Sequence, residues 1–159
     1  MISEYLSDIV LPTVQEYLDD VQNRRKCFLA CAATYHVVDR IAADKSYGFR
    51  KPQNASTYLK SKCSSFPLIE DVAVCFKHIR RGDGAWVKLT DNLVISRPAA
   101  SWDEGEWDLS RWGDELGGIE ALGATASVDV TKALYETVQF LCAEYEPTLK
   151  LGIKQSPGL

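Results

Sequence analysis

Apolar residues return every three or four positions over most of this chain, and that spacing, rather than alternation, restricts it to helices packed on one another. In residues 3–22 the apolar positions are Leu6, Ile9, Val10, Val14, Tyr17, Leu18 and Val21, with Ser3 placed to cap and Pro12 placed to interrupt. One kinked helix or two short ones are predicted there. From Arg24 to Asp44, Cys27, Phe28, Cys31, Tyr35, Val38 and Ala42 share a stripe, and Leu29, Ala33, Val37 and Ile41 add apolar groups beside it. That pattern predicts one long helix, buried on nearly every side. Gly48 and Pro52 mark a loop over 46–54, after which Asn54 or Ser56 can cap a short helix through Lys62. Pro67 suits the first turn of the next helix, which carries Ile69, Val72, Phe76 and Ile79 and is expected to end at Arg80, Arg81 and Gly82. Ser127 or Asp129 caps a last helix with Val130, Leu134, Val138, Leu141 and Tyr145 on one face, stopped by Pro147.

The pattern changes after Gly84. AWVKL (85–89) and LVISR (93–97) are short β-prone runs around Thr90, Asp91 and Asn92, a hairpin signal. A polar loop with tryptophans follows over 98–118, and one more strand is expected within 119–127. The expected fold is therefore mainly α: a four- to five-helix bundle with a small β-hairpin insertion before the last helix. It forms a single domain over 1–147, with the insertion at about 84–127 and a loose tail over 148–159. Phe28, Tyr35, Val72, Phe76, Leu134 and Val138 are expected in one core.

At 159 residues the chain suits one domain with a real core. Hydrophobic residues at 46% and charged residues at 25% point away from disorder and from a membrane class. Eighteen Lys and Arg against 22 Asp and Glu give a net charge of -4, which does not favour RNA as a partner. The N-terminus lacks a basic region and breaks its apolar run with Glu4, Asp8 and Glu16, so neither a signal peptide nor a membrane span is read there. Cys27, Cys31, Cys63, Cys75 and Cys142 are odd in number, sit on apolar stripes and form no CxxC pair. Reduced, buried thiols in a soluble cytoplasmic protein are expected, with no cofactor and no metal.

The chain has only two histidines, His36 and His78. Asp39 lies three residues after His36 and so on its face, and Asp71 precedes His78 by seven residues, nearly two turns. If their helices were neighbours, two imidazoles and two carboxylates could converge as a metal site or a general acid–base pair, while the simpler reading gives each histidine one hydrogen bond at a helix interface. Trp102, Trp107 and Trp112 recur every five residues among acids, a period of neither helix nor strand. Such indoles beside carboxylates could bind a sugar, a basic peptide or calcium, although the order of an EF-hand loop is absent, or could pin a long loop to the bundle.

The run Leu68 to His78 resembles a helix of uncharacterised bacterial helical proteins, in which Ile-Arg-Asp-Ile-Ala-Asn precedes a Lys-His pair. The run Ala30 to Ala42, with Tyr35, His36 and Asp39, resembles the helix before it in the same proteins. These are similar to the HEPN superfamily, helical bundles that often dimerise and whose active members cleave RNA without metal through an arginine five to seven residues before a histidine. This chain departs from that motif: the corresponding positions hold Asp71, Val72 and Ala73 before His78, and Leu29, Ala30 and Cys31 before His36. The resemblance thus implies a degenerate member of a stress or phage-defence system, with a second copy or another protein as partner and no membrane. A noncatalytic interaction module is the leading expectation. A nuclease or metal-dependent hydrolase using His36, Asp39, Asp71 and His78 is the alternative.

Overall fold

The computed structural model describes residues 2–77, 93–98, 117–122 and 127–149, and the architecture is that of these residues. It is mainly helical, with a three-stranded antiparallel sheet before the last helix. No described helix is long and apolar enough to cross a membrane.

The first helical run resolves the choice between one kinked helix and two short ones. α1 (Ile2–Tyr5) passes through a π turn (Leu6–Val10) into α2 (Leu11–Leu18) without leaving helical conformation. Pro12 offers no N–H and its ring clashes with the carbonyl four residues back, which a widened turn relieves. The Leu11 amide accordingly donates to the Leu6 carbonyl, and the Ile9 carbonyl accepts from the Thr13 hydroxyl at 2.6 Å.

The long helix expected over 24–44 is two helices. α3 (Arg24–Tyr35) ends at His36, whose ψ is -3°, and α4 (Val37–Ala43) starts anew. The break redirects the chain: α3 lies on α6 and α2, whereas α4 packs on α5 and α1. Neither is buried all round: Leu29 on α3 is 42% exposed, and Asp39, Arg40 and Ala43 on α4 are exposed. A 3-10 turn (Lys45–Tyr47) then leads to Gly48 at φ +73°, in the left-handed region that glycine adopts without strain. α5 (Pro52–Lys62) begins before either expected cap, Asn54 or Ser56, because Pro52 itself occupies the first turn and Lys51 stands at the cap position.

α6 (Phe66–Lys77) runs antiparallel to α3, with Phe28 against Phe76 at one end and Tyr35 against Phe66 at the other. Of the residues expected in one core, Phe28, Val72, Leu134 and Val138 are buried and Tyr35 is half-buried against them. Phe76 departs from that expectation: it is 54% exposed, one ring face stacked on Phe28 at 4.6 Å and the rest outside the core. All five cysteines are free and buried.

β1 (Val94–Arg97), β2 (Gly118–Leu122) and β3 (Ser127–Asp129) pair in that order, with Ser96 opposite Ile119 and Ala121 opposite Val128. The second run of the expected hairpin is thus a strand, and its described partner is β2. The first run, 85–89, lies outside the described residues, as do residues 150–159 and all of the polar loop expected over 98–118 except residue 98, residue 117 and Gly118, the last of which belongs to β2. α7 (Val130–Tyr145) is capped by Asp129, whose carboxylate accepts from the Lys132 amide at 2.9 Å.

Candidate functional site

His36 stands at the break between α3 and α4, where a short polar spacing becomes a contact. Its Nδ1 lies 2.8 Å from Asp39 Oδ2, and both side chains are about half exposed, at 48% and 51%. A carboxylate on Nδ1 fixes the tautomer and leaves Nε2 as the second ring nitrogen available for proton transfer or hydrogen bonding. The Tyr35 ring sits 5.8 Å away, centroid to centroid.

Of the remaining members of the expected constellation, Asp71 alone is among the described residues. Because α6 runs antiparallel to α3 from the Phe66 end, Asp71 recedes from the Tyr35–His36 end by five residues, about 7.5 Å of helix rise. Phe76 lies about 15 Å from it on the same measure. His78 lies outside the described residues, as do Trp102, Trp107 and Trp112. Among the described residues, no group of three or more His, Cys, Asp or Glu is placed to hold a metal ion.

A second polar cluster is buried where the sheet meets α7. Arg97 on β1, 5% exposed, has its Nε 3.1 Å from Glu120 Oε1 on β2 and its Nη2 3.2 Å from Asp129 Oδ2 at the α7 cap. Beside it the Tyr17 and Thr131 hydroxyls share a hydrogen at 2.5 Å, and burial pushes the Tyr17 phenol far above its ordinary range. A Cβ on Gly118 would meet Thr131 Oγ1 at 3.0 Å and Arg97 Nη2 at 3.2 Å, so the backbone closes over the cluster. The guanidinium answers two carboxylates, and the arrangement ties sheet, cap and α2 together.

The third feature lies on the surface, and none of the short motifs points to it. Tyr47 packs edge-on against Tyr145 at 5.3 Å, Phe49 lies tilted against Tyr58 at 5.4 Å, and the Tyr58 hydroxyl donates to Glu144 Oε1 at 3.1 Å. Tyr58 is thereby joined to the end of α7 beside Tyr145, and the four rings make one surface. That hydrogen bond holds the Tyr58 phenol above its ordinary range, and burial with neighbouring phenols and Glu144 raises Tyr145 further. The same stretch carries Lys45, Arg50, Lys51, Lys60 and Lys62, all exposed, with no Asp or Glu anywhere over 45–69. The rest of the chain has 13 Lys and Arg against all 22 Asp and Glu. This charge segregation is the signal in the sequence that could have identified the face, and the whole-chain balance conceals it.

No family model matches the chain, and no curated protein or solved structure is significantly similar to it.

Proposed function

We propose that this protein is a noncatalytic interaction module, a degenerate HEPN-like bundle of a bacterial stress or phage-defence system that works in the cytoplasm by binding a protein partner, as a monomer or a homodimer. The observation that carries the reading is the surface of Tyr47, Phe49, Tyr58 and Tyr145, four rings drawn from the 3-10 turn, the loop after it, α5 and α7 and flanked by five exposed cations. Aromatic rings are enriched where proteins bind one another, and cations around them steer an oppositely charged partner. A motif arginine is missing before both histidines, and loss of one charge-stabilising donor typically lowers a rate by about 100-fold to 1000-fold.

The alternative is an enzyme that uses His36, Asp39, Asp71 and His78, and the 2.8 Å His36–Asp39 contact favours it. One assay separates the two. A metal-stripped preparation is incubated with mixed single-stranded and transfer RNA beside His36→Ala and His78→Ala variants. No cleavage above background is expected. Cleavage that disappears in either variant overturns the binding reading and promotes the enzyme.

A further inference from the structure

We propose that the face built by residues 45–62 and the end of α7 docks an acidic peptide segment of a partner protein. Lys45, Arg50 and Lys51 would meet its carboxylates, and Tyr47, Phe49 and Tyr58 would meet its apolar side chains. The inference rests on the interaction-module reading and gives the partner its chemistry.

The cations on this face divide into those the fold uses and those it does not. Lys60 pairs with Glu70, and Lys62 lies over the Tyr58 ring at 5.9 Å; both occupy the last turn of α5, where the helix dipole favours cations. Lys45, Arg50 and Lys51 have no carboxylate partner among the described residues. Arg50 and Lys51 also stand just before α5, at the helix end where positive charge is unfavourable, so helix stability does not explain them. An anionic partner does.

The rings decide which kind of anion. Tyr47 meets Tyr145 at 82° and Phe49 meets Tyr58 at 48°, so the aromatics brace one another instead of lying as a parallel platform on which successive bases could stack. Glu144 sits among them, bonded to Tyr58, and its charge acts against every anion but most against a dense row of phosphates. Separate carboxylates spaced along a peptide, with apolar side chains between, suit three cations set around rigid rings. The loop is also pre-shaped: Asp44 accepts from the Ser46 amide at 3.0 Å and hydroxyl at 2.7 Å, and Gly48 completes the turn, so little ordering accompanies binding.

The test is fluorescence anisotropy of the full chain with a fluorescein-labelled peptide of alternating glutamate and leucine, run beside a labelled thymidine oligonucleotide and anionic phosphatidylserine vesicles. Salt-sensitive peptide binding is expected. The Arg50→Ala/Lys51→Ala double variant should weaken it roughly tenfold and Tyr47→Ala roughly threefold, while Lys132→Ala, at the far end of α7, should change nothing. Circular dichroism confirms that each variant is folded. Absent peptide binding, equal binding by the double variant, or tighter binding of the oligonucleotide or vesicles overturns the proposal. Failure here with no RNA cleavage sinks only the acidic partner; peptide binding together with His36-dependent cleavage sinks the noncatalytic reading and leaves the docking face.

Discussion

Tyr58 shows how far a single side chain's behaviour depends on a partner remote in sequence. Its phenol donates to Glu144, 86 residues away, and the bond to a carboxylate holds the proton on. An unfolded tyrosine ionises near 10, whereas the folded one holds its proton to higher pH. The contribution to stability is therefore whole below pH 10 and disappears as the pH climbs through the raised folded value. An ultraviolet titration of the native protein should show tyrosine ionisation delayed past the ordinary range, with Tyr58→Phe removing one late-titrating group; coincidence with the unfolded curve would refute it. His36 and Asp39 are the opposite case. Their contact was legible because a three-residue spacing on helical backbone already brings two side chains together, whereas no local rule links residues 58 and 144.

At the scale of elements, the apolar period located the helices and misjudged one face. Val72 and Phe76 lie four residues apart on α6, yet Val72 is fully buried and Phe76 is 54% exposed. Phe76 comes one residue before the last described residue of α6 and meets α3 only near that helix's start, at Phe28. A stripe records which side of a helix is apolar, not how far along it the neighbouring helix continues. Phe76→Ala should therefore cost only about 0.5–1.5 kcal/mol, the worth of an aromatic pair. Leu134→Ala, at a fully buried site on α7, should cost about 2–5 kcal/mol. Urea unfolding of both variants measures the contrast, and equal losses would mean that Phe76 is core after all. The break at His36 escaped the pattern for a related reason: apolar spacing continues across it, and only the separate packing partners of α3 and α4 require the turn.

Across the whole molecule, the Arg97 cluster joins parts that the chain keeps far apart. Arg97, Glu120 and Asp129 sit on β1, β2 and the α7 cap, with Tyr17 and Thr131 adjoining them. Removing the guanidinium alone strands a buried carboxylate, so Arg97→Met should cost about 3–5 kcal/mol, whereas Arg97→Met with Glu120→Leu, which leaves Asp129 partly exposed, should recover most of it. Equal losses in the single and double variants, read by urea unfolding, would show that the pair is not coupled. The sequence by itself determined the helical class, a strand on either side of residues 99–116, a cap for α7 at Ser127 or Asp129, and the burial of the cysteines. Each follows from spacings of two to four residues or from a side chain's own chemistry, which any local stretch carries. Tertiary structure alone decided that β1 pairs with β2, that α3 and α4 part company, that Arg97 finds two carboxylates, and that Tyr47, Phe49, Tyr58 and Tyr145 share one surface. Those outcomes depend on which distant segments the packed core brings together, a matter of long-range burial that no periodicity encodes.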